Sequence, residues 1–178
     1  KEREAVQKGG AVDAPLRDVV NWKFALAMLG NVFFAIATYN TYAQLPFLLK
    51  EQGLPPGTYA QVMIPVTLSS VVMALLFNRV RRHVHPIAII ALSLLVFAAG
   101  TLVFASATSS LALFAAAVLI GVGTVVFEPA LSSFLLDRIH PSRRAMTMGA
   151  IFGTFHLGPF LIPFIFGGIN TRYGFSGS

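Results

Sequence analysis

Five stretches of this 178-residue chain, 24–49, 59–77, 87–108, 111–136 and 145–169, are long and apolar, and a single charged side chain, Glu128, falls inside them. Crossing the ~30 Å hydrocarbon core of a bilayer takes about 20 apolar residues in a helix, and each stretch is close to that length or beyond it. Apolar residues cover most of each circumference, which suits a helix bathed in lipid better than an amphipathic surface helix. The ten-residue alternation of a transmembrane β-strand is not visible. With 56% hydrophobic and 11% charged residues, the chain lacks the polar skin that a soluble fold of this size needs. The expected fold class is all-α, a polytopic membrane bundle of five transmembrane helices.

Charge sits between the stretches and alternates in sign of side. Lys1, Arg3, Lys8, Arg17 and Lys23 precede the first stretch, Arg79, Arg81 and Arg82 follow the second, and Arg138, Arg143 and Arg144 follow the fourth; Lys50 and Arg172 fall on the other side. By the positive-inside rule the N-terminus is cytoplasmic and the chain ends outside after its fifth crossing. A plasma (inner) membrane is the expected location and the lipid bilayer the first partner. The excess of 13 Lys+Arg over 7 Asp+Glu would suit nucleic acid only as a solvated stripe, and short clusters between apolar runs are not one, so no nucleic-acid partner is expected. The chain has no Cys, which excludes a disulfide framework and any cysteine-based zinc or redox site. His83 and His85 lie among arginines with no carboxylate, so they read as a solvated pair; no metal and no cofactor are expected. Residues 1–23 are polar and of mixed charge, without a signal-peptide pattern, and read as a cytoplasmic linker or tail. Residues 24–173 then form the transmembrane unit, and 174–178 read as the start of a further helix beyond this chain.

Two basic connectors carry a resemblance. Asn78-Arg79-Val80-Arg81-Arg82-His83, with Ala74 four residues ahead of Asn78, resembles the major facilitator superfamily loop in which a small residue precedes D-R-x-G-R-R. Asn78 stands at the family's Asp, Arg81 at its Gly and His83 at its last Arg. Asp137-Arg138-Ile139-His140-Pro141-Ser142-Arg143-Arg144 with Gly149 looks like the matching connector between the fourth and fifth helices. Gly153, Gly158-Pro159 and Gly167-Gly168 resemble, at longer spacing, the G-P-x-x-G-G stretch of that family's proton-coupled drug antiporters. The resemblance implies five helices of a six-helix half, the C-terminal half favoured by the degenerate loop and linker-like leader. A missing other half, on the same chain or a second one, is implied as partner. It also implies that loop arginines pair with acids of a neighbouring helix and latch one conformation. Asn78 removes one such anion, so Asn78, Arg79, Arg82, Arg143 and Arg144 read either as a rewired latch or as plain topology determinants.

Within the membrane, Glu128 stands out. It lies ten residues before Arg138, about 15 Å from the charged boundary at about 1.5 Å per residue, near the bilayer midplane. An ionised carboxylate there costs several kcal/mol unless it is paired or hydrated, so a group so placed can hold a proton and carry it across as its surroundings alternate. Pro129 frees a backbone carbonyl one turn earlier, as at a kink lining a cavity. His156, about 18 Å in from Arg144 on an oppositely directed helix, can share Glu128's depth, and the two are candidates for proton coupling. A structural Glu bonded to a neighbour, and a packed His, are the alternatives. Asn31, Thr38 and Tyr42 form a stripe on one face of the first helix, with Asn40 and Gln44 nearly opposite. Asn31, Thr38, Tyr42 and Asn40 are the substrate-binding candidates; interhelical hydrogen bonding is the alternative. Pro129, Gly158 and Pro159 are candidate gating breaks, and Gly149-x-x-x-Gly153 permits close helix approach.

These features point to a secondary active transporter that moves a small solute or drug by alternating access, coupled to protons, with antiport favoured. An uncoupled or symport carrier of a small polar metabolite or sugar, and a non-transporting scaffold, are the alternatives. An enzyme is not expected: Glu128 and His156 alone make no nucleophile–base set, and Ser132 and Ser133 have no G-x-S-x-G context.

Overall fold

The computed structural model describes residues 22–173 except 52, 56 and 108, and side chains as far as residue 164 apart from that of residue 51. Five helices run in order: α1 (Trp22–Glu51), α2 (Gly57–His83), α3 (Pro86–Ala105), α4 (Ser110–Leu136) and, after a 3-10 turn at Pro141–Arg143, α5 (Arg144–Tyr173). All five are long and apolar enough to cross a membrane, and no strand occurs among the described residues. The fold is all-α, as its composition requires. The readings of residues 1–21 as a tail and of 174–178 as a helix start lie outside the described residues.

Each helix end has a local cause. Gly53, at φ 70°, takes the left-handed conformation that closes α1. Its N–H donates to Lys50 O (2.9 Å) and that of Leu54 to Leu49 O (3.0 Å), the paired bonds of a Schellman cap. Two His-Pro steps build the other end of the bundle. His85 precedes Pro86 and its Nδ1 accepts from Ile87 N (3.3 Å); His140 precedes Pro141 and accepts from Ser142 N (3.4 Å). Both hold an extended backbone, which the following proline enforces. The basic motif expected in the second connector is instead helical. α2 continues through Asn78, Arg79, Arg81 and Arg82 to His83, because arginines are good helix formers and favour a helix C-terminus. Likewise Arg144 opens α5 rather than lying in a loop, with Arg143 in the 3-10 turn.

Lipid tails are as apolar as leucine, so packing shape and hydrogen bonds, not the hydrophobic effect, decide which helices meet. α4 is the centre of one group. A side chain at Gly123 would meet Phe97 N of α3 at 2.6 Å, and one at Gly121 would collide with Val66 O and Ser69 Oγ of α2. Ser70 Oγ adds a 3.0 Å bond to Gly121 O. α1 and α5 form a second group, in contact at Gly158, where a Cβ would lie 2.7 Å from that of Ala35. The close approach that Gly149 and Gly153 permit is not used among the described residues: both glycines face open space, and the close contacts lie at Gly100, Gly121, Gly123 and Gly158. Spacing alone says where a helix is thin, not which face meets a neighbour. Phe34 ties the two groups together, stacked on Phe127 of α4 (3.9 Å between centroids) and edge-on to Phe97 of α3 (5.3 Å). Large side chains such as Leu75, Leu111 and Phe164 point outward, each more than three-quarters exposed, a surface suited only to apolar surroundings.

Candidate functional site

A cleft of about 540 Å³ opens between the C-terminal half of α4 and the N-terminal half of α5, at the end of the bundle that carries the arginines. Glu128, Pro129, Ser132 and Ser133 form its α4 wall, Met148 and Phe152 its α5 wall, and Arg81, Asp137 and Arg144 stand nearest the helix ends. The α4 residues recur at helical spacing, so one face of α4 lines the cleft throughout. Glu128 is half-buried on that wall, and its Oε1 is sealed from solvent with no hydrogen-bond partner. In a low-dielectric interior an orphaned carboxylate oxygen is expensive as an anion and cheap only when protonated, hydrated or paired.

Near the cleft's outer rim, Arg81 donates to both carboxylate oxygens of Asp137, at 3.3 and 3.2 Å. This exposed ion pair, one guanidinium nitrogen reaching both oxygens, joins the last turn of α2 to the residue that caps α4. Arg81 occupies the position where the family pattern has glycine, and Asp137 is the acid that reading the sequence did not single out. Arg138 turns back on its own helix, donating to Phe134 O (2.9 Å) and lying over the Phe134 ring. Asn78, Arg79 and Arg82 are exposed and sit on the surface of α2.

His156 lies close enough to Glu128 to act on it electrostatically, with no hydrogen bond or ion pair between the two. Its Nδ1 bonds Phe152 O at 2.8 Å, and because a carbonyl only accepts, that nitrogen carries the proton. The ring is otherwise exposed, beside Phe155.

The α1 stripe divides. Asn31 is fully buried, and its Nδ2 donates to Ile151 O (2.8 Å) and Thr154 Oγ1 (2.9 Å), a clamp between α1 and α5. Thr154 in turn bonds Ala150 O, so it serves the helix interface and was not legible as a site residue. Thr38 is buried with Oγ1 unpartnered. Tyr42 is half-buried and approaches Thr124 of α4, loosely enough that Thr124 Oγ1 still has no partner. Asn40 is half-buried and away from the cleft wall, and Gln44 is exposed. Pro159 and Gly158 lie within α5, where Gly158 makes its close contact with α1. Among the described residues no three His, Asp or Glu side chains gather as a metal site would need.

Residues 27–178 match the family model of the Major Facilitator Superfamily. The comparisons with curated proteins and with solved structures give no match.

Proposed function

The chain belongs to the major facilitator superfamily of membrane transporters, and from that membership we propose that it works as a proton-coupled secondary transporter of a small solute or drug, antiport favoured. The observation that carries this reading is Glu128, a carboxylate about two-thirds of the way along α4, in a cleft wall, with one oxygen orphaned. A carboxylate so placed binds a proton tightly when its cleft is dry and releases it when water enters. A proton or solute can shift the two access states only as far as its affinities for them differ.

Alternating access then assigns the remaining parts. The cleft between α4 and α5 is the access route on the Arg-bearing side, which the positive-inside rule makes cytoplasmic. The Arg81–Asp137 pair holds the end of α2 to the end of α4 and is broken when that side rearranges. Solute binds near the midplane between this bundle and a second half, on the same polypeptide or another. His156 modulates Glu128 through its field. Asn31 holds α1 to α5, a bond that argues for a structural over a substrate role.

The test is solute-driven proton movement by the full-length polypeptide in liposomes loaded with a pH-sensitive dye, with labelled drugs, sugars and metabolites as probes. A solute-triggered pH change in wild type that disappears in Glu128→Gln is the expected result. Solute crossing at wild-type rates with the same proton flux in Glu128→Gln would sink the coupling role.

A further inference from the structure

Glu128 faces the cleft on one side, but its sealed Oε1 points to a second connection. One turn away on α4 is Thr124, and on the facing α1 lie Thr38 and, one turn on, Tyr42. Among the described residues three buried oxygens on these turns of α1 and α4, helices in contact at Phe34 and Phe127, have no partner: Glu128 Oε1, Thr124 Oγ1 and Thr38 Oγ1. Each such orphan costs about 1–3 kcal/mol, and a cluster of them in a membrane interior implies a bound partner of matching chemistry. The groups are hydroxyls and one carboxyl, which both give and accept hydrogen bonds, so water fits the site.

The row continues. Tyr42 approaches Thr124 and lies within electrostatic range of Tyr59, near the start of α2 and 37% exposed. Counted from the helix ends away from the arginines at about 1.5 Å per residue, Glu128, Thr124, Tyr42 and Tyr59 lie about 27, 21, 13 and 3 Å deep. They descend in steps of roughly 6–10 Å, each short enough for one or two waters to bridge, counting side-chain reach.

We propose that Thr124, Tyr42 and Tyr59, with water held by Thr38 and Thr124, form a proton path from Glu128 to the membrane face opposite the arginines. The proposal rests on Glu128 being the coupling group. In each step an oxygen lone pair takes a proton and the same group releases its own. One proton thus enters from that face, the Glu128 carboxylate becomes a carboxyl, and no hydroxyl is left charged. The cleft serves Glu128 from the Arg-bearing side and the hydroxyl row from the other, and coupling requires the two to be used in alternation, one closed while the other conducts. The other titratable or charged groups around Glu128 are His156 on α5 and, on the cleft wall, Arg81, Asp137 and Arg144. All of these lie on the cleft side or α5, and none interrupts the row.

Protons themselves are the probe. Full-length protein in oriented proteoliposomes is given an acid jump from either face while the infrared band of the Glu128 carboxyl, identified by its loss in Glu128→Gln, is followed in time. A jump from the face opposite the arginines should protonate wild-type Glu128 quickly, and Tyr42→Phe and Thr124→Val should slow it about tenfold or more. Thr124→Ser should restore the rate, and jumps from the Arg-bearing side should be unaffected in all four proteins. Unchanged rates in Tyr42→Phe and Thr124→Val, with the Glu128 band intact, would overturn the path and leave the coupling role standing. If no Glu128 band responds in wild type, the coupling role itself fails and the path with it.

Discussion

Asn31 shows how much of a polar residue's meaning in a membrane depends on what faces it. Its amide bridges Ile151 O and Thr154 while lying fully buried, so Asn31→Ala removes two interhelical bonds and leaves a small void. The expected loss is about 1–2 kcal/mol, read as a lower thermal midpoint of the purified protein in detergent. A wild-type midpoint would mean that lipid or water replaces the clamp without loss. The same stripe was visible in the sequence, but its division was not: Asn31 serves an interface while Tyr42 approaches a partner on α4. Glu128 could be found from sequence alone, because a lone acid in a long apolar run has few explanations. Asp137 and Thr124 could not. One is an acid in a charged loop and the other a small hydroxyl in a helix, and both gain meaning only from Arg81 and Tyr42, side chains from elements distant in the chain.

At the level of elements, five crossings follow from hydropathy, and the ends follow from caps and prolines. The basic motif misled because the rule that places arginines at a membrane boundary does not say whether the backbone there is coiled. α2 keeps its helix to His83 and carries its arginines on the last turns. Small residues misled in another way, since Gly149 and Gly153 have the right spacing on a face that meets nothing among the described residues. The consequential glycine is Gly121, where the obstacle to a larger side chain is the Val66 backbone, which cannot move without α2. Gly121→Val should separate α2 from α4 and destabilise the bundle by about 1–3 kcal/mol, whereas Gly153→Val should be close to neutral. Parallel thermal unfolding of the two variants decides the point; equal effects would mean that the α2–α4 contact is not tight.

For the whole molecule, the helices gather as α2, α3 and α4 on one side and α1 with α5 on the other, and the cleft lies where α4 and α5 part. This division was not legible, because every helix is apolar all round and hydropathy assigns no partners. These 178 residues contain no cysteine, so Ser132→Cys introduces the one thiol among them, on the cleft wall. A membrane-impermeant maleimide should label it from the Arg-bearing side and not from the other, scored by a gel shift in right-side-out and inverted vesicles. Labelling from both sides at equal rates would mean that the cleft is not a one-sided entrance in this state.

The α1–α5 clamp also sets a clock. The Asn31–Ile151 bond joins residues 120 positions apart. At the usual 5–20 residues per second of synthesis, α1 enters the membrane about 6 to 24 s before its partner exists. Through that interval the buried amide has to be sheltered by something other than α5, whether the insertion machinery, interfacial water or an earlier helix. Biogenesis of this helix pair is therefore paced by α5: until it arrives, α1 is inserted but not yet placed.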